Sequence, residues 1–332
     1  MILNENCIRI ITADDFKDIL IKGTQKGLPF ILSKFSFSAE KRTKTAFGKT
    51  IGKGVNWWQI PLIHQRWNTM ISGDPNQDYL HVLANFLNEK KGLSLISLGS
   101  GRCEAEIKLA KTNIFDKITC IELSKPLVDE ARKSINHEGL KNIHVVCDNI
   151  YEYKFKENAY DVVFFSSSLH HFKNLDTFLR IKAKAWLKKN GYLVMNEYVG
   201  PDRLQYSKNQ LLTINEALKT IPKKFRKINS LPMHKNRISG PGLVRMILAD
   251  PSECVESSKI IPLIHQNFDV IIEKPFGGNI LSSVLKDIAN HFFTIDKEKH
   301  KVIDKLFKIE DEYLKDNASD FLFGIYTPKR VE

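Results

Sequence analysis

The chain contains 332 residues, of which 42% are hydrophobic, and this is enough to bury a full core in one large domain. No segment approaches the run of about 18–20 apolar residues that a membrane span requires. The N-terminus lacks the pattern of a signal peptide, so we expect a cytoplasmic protein without membrane contact. The net charge of +12 is compatible with a nucleic-acid partner. The lysines are spread along the chain rather than grouped, which disfavours one.

The five cysteines are scattered, and no two stand at CxxC spacing. We therefore predict neither a metal site nor a redox pair. Cys120 and Cys147 fall within apolar runs and are predicted to be small core residues, whereas Cys103 lies in a glycine-rich loop.

The first 90 residues carry weak signals. Their patterns predict a strand at 8–11, a helix at 14–21, an exposed basic loop at 41–53 and a helix at 79–87. An aromatic cluster of Trp57, Trp58 and Trp67 precedes the second of these predicted helices.

From residue 93 onward, apolar strand-like runs alternate with helical patterns. The runs occupy 93–98, 118–122, 143–147, 161–165 and 191–196, and the helical patterns occupy 103–112, 126–136 and 174–188. This alternation predicts βαβ units and a parallel sheet with helices on both faces. Prolines and glycines interrupt this alternation of strands and helices at 200–262, which indicates an insertion of helices and loops. Beyond it, we predict strands at 268–274 and 320–328 and helices at 279–293 and 297–314.

Gly99-Ser100-Gly101 separates the first strand run from a helical pattern and is the most informative segment. Glycine permits positive φ and close approach of the backbone to a ligand, and amides at a helix start suit a polar or anionic group. The loop therefore predicts a nucleotide-like cofactor. A nicotinamide dinucleotide usually requires glycine or alanine where Glu104 stands, which disfavours NAD.

In an open α/β sheet, ligands bind at the carboxyl ends of the strands. Glu122 ends the second run, 21 positions after Gly101, and is predicted to bind a ribose diol, with an ordinary surface glutamate as the alternative. Asp148 follows the third run and could accept a hydrogen bond from adenine or cap the next helix. The ends of the fourth and fifth runs carry Ser166, His170, His171, Glu197 and Tyr198.

Five segments, in order, resemble the motifs of class I S-adenosylmethionine-dependent methyltransferases. They are 95–101, 121–122, 146–148, 161–171 and 187–194. The flanking segments 57–58, 66–68, 196–205 and 250–253 resemble a bacterial subfamily associated with specialised metabolites and surface glycans. Two positions depart from the family pattern, which often has an acidic residue at Ser97 and a third glycine at Cys103.

This resemblance implies a Rossmann-like α/β fold, in which a seven-stranded, mostly parallel sheet has helices on both faces and one antiparallel strand near the C-terminus. It implies an N-terminal extension and substrate-side segment at 1–90, a cofactor-binding core at 91–199, an inserted helical cap at 200–262 and the rest of the core sheet at 263–332. The residues expected to bind S-adenosylmethionine are Ser97, Gly99, Ser100, Gly101, Glu122, Leu123, Asp148, Asn149 and Ser166.

Methyl transfer to oxygen generally needs a base with a pKa near neutrality, which suits histidine. We favour His171, with His170 and Glu197 beside it, although one histidine could instead pack against or cap the next helix. An acceptor pocket with aromatic walls and a few polar groups is the usual design for a small molecule. Its expected residues are Trp57, Trp58, Arg66, Trp67, Tyr198, Arg203, Gln205, Asp250 and Glu253.

The expected reaction is methyl transfer to an oxygen or nitrogen of a small molecule, sugar or peptide-derived metabolite. The motif of enzymes that methylate nucleobase nitrogens is absent, because 165–168 reads Phe-Ser-Ser-Ser, and this disfavours nucleic acid further. Two alternatives stay open: an RNA or ribosome methyltransferase, favoured by the charge, and a non-catalytic S-adenosylmethionine-binding protein, favoured by Ser97 and Cys103.

Overall fold

The computed structural model describes residues 8–26, 56–229 and 231–329, so the predicted loop at 41–53 lies outside the described residues. Seven strands form one sheet in the order β3-β2-β1-β4-β5-β7-β6. The strands are β1 (Leu93–Leu98), β2 (Phe115–Glu122), β3 (Ile143–Cys147), β4 (Tyr160–Ser166), β5 (Leu187–Tyr198), β6 (Phe268–Pro275) and β7 (Phe321–Pro328).

Strands β1 to β5 pair in parallel, and β7 runs antiparallel between β5 and β6. Both the mostly parallel sheet and its antiparallel strand near the C-terminus are therefore as predicted. The strand order reverses at β1 and β4, and such a switch point opens a crevice at the carboxyl ends of the strands.

Helices cover the sheet and build the cap. They are α1 (Ala13–Lys26), α2 (Pro61–Ser72), α3 (Tyr79–Phe86), α4 (Glu104–Ala110), α5 (Lys125–His137), α6 (Leu175–Thr177 and Lys184–Trp186, joined by the π-helical stretch Phe178–Ala183), α7 (Lys208–Thr220), α8 (Leu243–Ala249), α9 (Ile260–Asn267), α10 (Leu281–Leu285) and α11 (Lys297–Leu314). None of the helices described is long and apolar enough to cross a membrane.

Successive residues of the central strands enter different cores because side chains alternate across a sheet. Leu95 and Phe164 pack with α3, α4 and α5 on one face, and Ile96 and Phe165 pack with α6 and α9 on the other. Burial on both faces explains why these strands are apolar throughout.

A third hydrophobic cluster lies above the carboxyl ends of the strands. It joins α7 of the inserted segment to α10 and α11 and to Trp57, Ile60 and Ile63 near the start of α2. We refer to this cluster, which is built from three separated parts of the chain, as the helical cap.

Three predictions are wrong in detail. Residues 8–11 form no strand, because the carbonyls of Arg9 and Ile10 accept hydrogen bonds from the first turn of α8 instead of from a sheet. The helix predicted at 279–293 breaks into short pieces at Asp287, which has a φ of 66°. Cys147 is exposed at the edge strand β3 rather than part of the core.

Candidate active site

The loop between β1 and α4 requires glycine at two positions. Gly99 and Gly101 have φ values of 70° and 55°, a region that other residues rarely adopt. A Cβ atom on Gly99 would lie 2.9 Å from the Cβ of Ser168, whereas one on Gly101 would meet no protein atom within 4 Å. The backbone of Gly101 therefore faces open space. Glu122 supports the loop from below by accepting hydrogen bonds from the amides of Gly101 (3.0 Å) and Ser124 (2.7 Å).

A cavity of about 440 Å³, termed the inner cavity, lies against this loop. Seven of the nine expected cofactor residues line it: Gly99, Ser100, Gly101, Glu122, Leu123, Asn149 and Ser166. The hydroxyl oxygens of Ser124 and Ser168, on the same wall, are buried and have no hydrogen-bond partner in the described part of the chain. Buried polar atoms without partners are costly, so this wall is suited to a polar ligand.

The other two expected cofactor residues do not line the inner cavity. Ser97 is buried behind the loop and donates a hydrogen bond of 2.5 Å from Oγ to Oε1 of Glu106. Asp148 turns its carboxylate back to accept a hydrogen bond from the amide of Asn149 at 2.7 Å.

A larger cavity of about 1130 Å³, termed the outer cavity, adjoins the inner one. The two share Ser100, Gly101, Leu127, Ser166 and Ser167 in their walls. Five of the expected acceptor residues line the outer cavity: Trp57, Trp58, Trp67, Tyr198 and Glu253. The shared wall is the place where a group bound in the inner cavity can meet a molecule bound in the outer one.

Four expected acceptor residues instead hold the structure around the outer cavity. Arg66 binds Asp311 at 2.6 Å. Arg203 donates hydrogen bonds to three backbone carbonyls between 250 and 253. The side-chain amide of Gln205 donates to the carbonyls of Arg203 and Pro241, and Asp250 accepts from the amide and hydroxyl of Ser252.

The two histidines after β4 face different cavities. His170 lines the outer cavity and His171 the inner one. Glu197, buried at the end of β5, accepts hydrogen bonds from the amides of Ser168 (2.5 Å) and Leu169 (2.6 Å) through Oε1. Its Oε2 atom lies 2.7 Å from Nδ1 of His170.

The surroundings shift the pKa values of the two rings in opposite directions. Burial lowers the pKa of His170, but the carboxylates of Glu197 and Glu253 outweigh burial and hold it above the ordinary value. Burial and the charge of His170 together lower the pKa of His171. Protonation of His170 therefore disfavours protonation of His171.

One group of side chains has the spacing of metal ligands. His171, Asp250 and Glu253 offer atoms within 4.8 Å of one another, and His170, Glu253 and Cys254 do so as well. Asp250 already accepts from Ser252, and Nδ1 of His171 lies 3.2 Å from the Ser252 hydroxyl. Since these internal contacts explain the grouping, we assign no ion to it.

The site combines a glycine loop at the switch point, an acidic residue at the end of β2 and two adjoining cavities. This combination is typical of an enzyme that uses a cofactor. A family model for a methyltransferase domain matches residues 89–259, more than half of the chain. The chain belongs to this methyltransferase family. It is an S-adenosylmethionine-dependent methyltransferase, and S-adenosylmethionine is its cofactor.

Known structures that can be superposed on this methyltransferase have low sequence identity to it. A methyltransferase from Aquifex aeolicus is 14% identical, with a TM-score of 0.41, covering 82% of this chain and 98% of its own. The YcgJ protein from Bacillus subtilis is 13% identical, with a TM-score of 0.44, covering 76% and 99%. Phosphoethanolamine N-methyltransferase 2 from Haemonchus contortus is 15% identical, with a TM-score of 0.46, covering 81% and 57%. No curated protein matches in sequence.

The walls of the inner cavity suit the cofactor of this methyltransferase family. Among the lining residues, the Glu122 carboxylate could accept a hydrogen bond from a ribose hydroxyl, Leu127 and Ile150 could flank a purine, and the open space at Gly101 could take the methionine part. The sulfonium group would then lie near the wall shared with the outer cavity.

Tyr79 and Glu106 carry no sequence signal for the site, whereas Asn196 begins one of the segments that resemble the methyltransferase subfamily. Tyr79, the first residue of α3, bonds Ser166 between hydroxyl oxygens 2.8 Å apart. Asn196 on β5 and Glu106 on α4 line the outer cavity. Tyr79 and Ser166 are 87 positions apart, so no local pattern could have paired them.

Proposed function

We propose that this methyltransferase transfers a methyl group to a hydroxyl oxygen of a small molecule, such as a sugar or a peptide-derived metabolite, with His170 as the general base. The observation that carries the proposal is the Glu197–His170 pair, which opens onto the outer cavity.

Glu197 sets the protonation state of His170. A carboxylate 2.7 Å from Nδ1 favours the tautomer that carries its proton there, which leaves the lone pair of Nε2 available. Hydrogen bonds from two backbone amides hold the carboxylate in place. His170 therefore combines an orienting partner with a basic nitrogen, the arrangement that general-base catalysis requires.

The lining of the outer cavity supports a small polar acceptor rather than a polyanion. Acidic residues (Asp78, Glu104, Glu106, Glu253 and Asp287) accompany basic ones (Arg102, Lys108 and Lys286), so the cavity does not share the positive excess of the whole chain. Nε1 of Trp67 and Oδ1 of Asn196 are buried and have no hydrogen-bond partner among the described residues. A hydroxylated ligand can both accept from the indole and donate to the amide oxygen.

In the proposed reaction, bound S-adenosylmethionine would supply the electrophilic methyl carbon, and its sulfur would keep the electron pair of the broken S–CH3 bond and leave as S-adenosylhomocysteine. His170 accepts the hydroxyl proton at Nε2 as the acceptor oxygen attacks, and Glu197 stabilises the charged ring. The aromatic walls of Trp57 and Tyr198 hold the acceptor and exclude water from the shared wall.

The proposal is tested with cofactor that carries a deuterated methyl group. The wild-type protein is incubated with separate pools of sugars, nucleotide sugars, phenols, peptides, amines and RNA, and labelled products are identified by mass spectrometry. Label on a hydroxyl oxygen of a small molecule is expected. Label on nitrogen, or on RNA alone, would contradict the proposal.

Matched variants then test the base. His170→Asn is expected to lower kcat by roughly 10²–10⁴-fold while S-adenosylhomocysteine still binds. His171→Asn is the control, with a smaller loss, because His171 faces the inner cavity. Loss of turnover in His171→Asn alone would transfer the role of base to His171.

A further inference from the structure

Glu106 is a buried carboxylate that the proposed reaction does not use. It lies in the first turn of α4 and is 1% exposed, yet it forms part of the wall of the outer cavity. Ser97 donates a hydrogen bond to its Oε1 atom. This bond places the carboxylate directly behind the glycine loop, at the end of β1.

No positive charge compensates Glu106 in the described part of the chain. Its only side-chain hydrogen-bond donor there is the neutral Ser97, and the nearby ionisable groups Glu104 and Glu122 are acidic. Burial and these two acids raise the pKa of Glu106 to about 7. A buried carboxylate without a cation is costly, so a ligand that brings a cation would stabilise it.

The position of Glu106 relative to the cavities indicates which cation that is. The inner cavity has the residues suited to the nucleoside, and the shared wall is where the sulfonium would lie. Glu106 lines only the outer cavity, together with Tyr79 and Asp78, whereas Glu122 lines the inner one. With the nucleoside in the inner cavity and the sulfonium at the shared wall, the amino-acid end of the cofactor, which carries its other cation, would extend into the outer cavity.

We propose that Glu106, held by Ser97, binds the α-ammonium group of S-adenosylmethionine. The family identity of the chain supplies the cofactor on which this assignment rests. Neither resemblance to other methyltransferases nor a local pattern pointed to Glu106, because the expected acidic position was Ser97. In this chain, the carboxylate comes from the helix and the strand supplies its hydrogen-bond donor.

The test is isothermal titration of the full-length protein with two ligands. S-Adenosylhomocysteine carries the ammonium and no sulfonium, and 5′-methylthioadenosine lacks the amino-acid part altogether. Glu106→Gln keeps the shape of the side chain and its contact with Ser97. It is expected to weaken S-adenosylhomocysteine binding by roughly 10-fold to 100-fold, as for loss of a charged hydrogen bond, and to leave 5′-methylthioadenosine binding within about twofold.

Two further variants sharpen the result. Glu138→Gln makes the same change of charge at an exposed position that lines neither cavity, where the carboxylate binds Lys111, and it should bind both ligands as the wild type does. Ser97→Asp combined with Glu106→Gln returns a carboxylate to the strand and should recover part of the lost affinity. The melting temperature without ligand shows that each variant is folded.

Several outcomes would overturn the assignment. The first is an unchanged S-adenosylhomocysteine affinity in Glu106→Gln, and the second is an equal loss of affinity for S-adenosylhomocysteine and 5′-methylthioadenosine. The third is a loss of affinity for S-adenosylmethionine alone, which would place the carboxylate at the sulfonium. If the wild type bound neither S-adenosylhomocysteine nor S-adenosylmethionine, the cofactor itself would be wrong, a result distinct from a defect confined to the variant.

Discussion

At the scale of single residues, the carboxylate of Glu197 determines what the neighbouring histidines can do. It contacts the amides that shape the turn after β4 as well as the ring of His170, so one buried side chain both builds the turn and orients the ring. His171 lacks such a contact with Glu197 and instead has Ser252 near its Nδ1. Two residues of one type and adjacent in sequence therefore acquire different chemistry.

Glu197→Gln is expected to move the acidic limb of the pH–rate profile to lower pH and to reduce the maximal rate. Glu197 is a main cause of the raised pKa of His170, and the base acts only when unprotonated, so the wild-type rate rises through this raised pKa. The other groups acting on His170 are Glu253, Asp250 and His171, and the substitution leaves them in place. The measurement is kcat/KM against pH for both proteins; an unshifted limb would exclude the coupling.

Among the elements, the β1–α4 loop allows the cost of backbone strain to be distinguished from the cost of a steric clash, because its two glycines differ in their surroundings. Gly99→Ala and Gly101→Ala both place a side chain at positive φ, which costs roughly 1–2 kcal/mol. Gly99→Ala also drives a methyl group into Ser168, whereas the methyl group of Gly101→Ala enters open space at the inner cavity. We therefore expect Gly99→Ala to lose more stability than Gly101→Ala. For Gly101→Ala we expect the loss of S-adenosylhomocysteine affinity to be large relative to its loss of stability.

Urea unfolding and ligand titration on the same two variants decide the comparison. Equal losses of stability would show that Ser168 moves aside readily. Unchanged ligand affinity in Gly101→Ala would show that the cofactor does not approach the loop at this point.

The same elements show what the sequence could predict. The strands and the glycine loop were predictable because burial on both faces and positive φ each restrict residue type locally. Arg66 and Arg203 were expected in the acceptor pocket, and their side chains bind a carboxylate and backbone carbonyls. An arginine with such contacts has the same sequence signature as one that faces a ligand. Glu106 and Tyr79 could not be found, since their roles depend on the folded positions of Ser97 and Ser166.

At the scale of the whole molecule, a charge cluster fastens the N-terminal helix to the cap. Asp18 of α1 binds Arg245 of α8 and Lys286, which follows α10, each at 3.0 Å. Arg245 also binds Asp15 at 2.8 Å. Three distant segments therefore meet at one buried carboxylate, and the loop after α8 carries Glu253 to the histidines.

Asp18→Asn is expected to lower the free energy of unfolding by about 2 kcal/mol at neutral pH. Burial alone would raise the pKa of Asp18, but Lys286 and Arg245 lower it from 3.8 to about 2. A lowered pKa contributes stability above the unfolded value of 3.8 and loses it as the pH falls towards 2. The difference in the free energy of unfolding between the wild type and Asp18→Asn should therefore decrease as the pH falls through this range.

Urea unfolding of the wild type and Asp18→Asn, at neutral pH and at several points down to about pH 3, measures this difference. Asp129→Asn provides the matched control, because Asp129 is 47% exposed in a surface pair with Lys125, and such pairs contribute about 0–1 kcal/mol. A difference between wild type and Asp18→Asn that stays constant with pH would mean that the carboxylate charge does not anchor α1. A difference no larger than that of Asp129→Asn at neutral pH would mean that the buried Asp18 cluster stabilises the protein no more than a surface ion pair does.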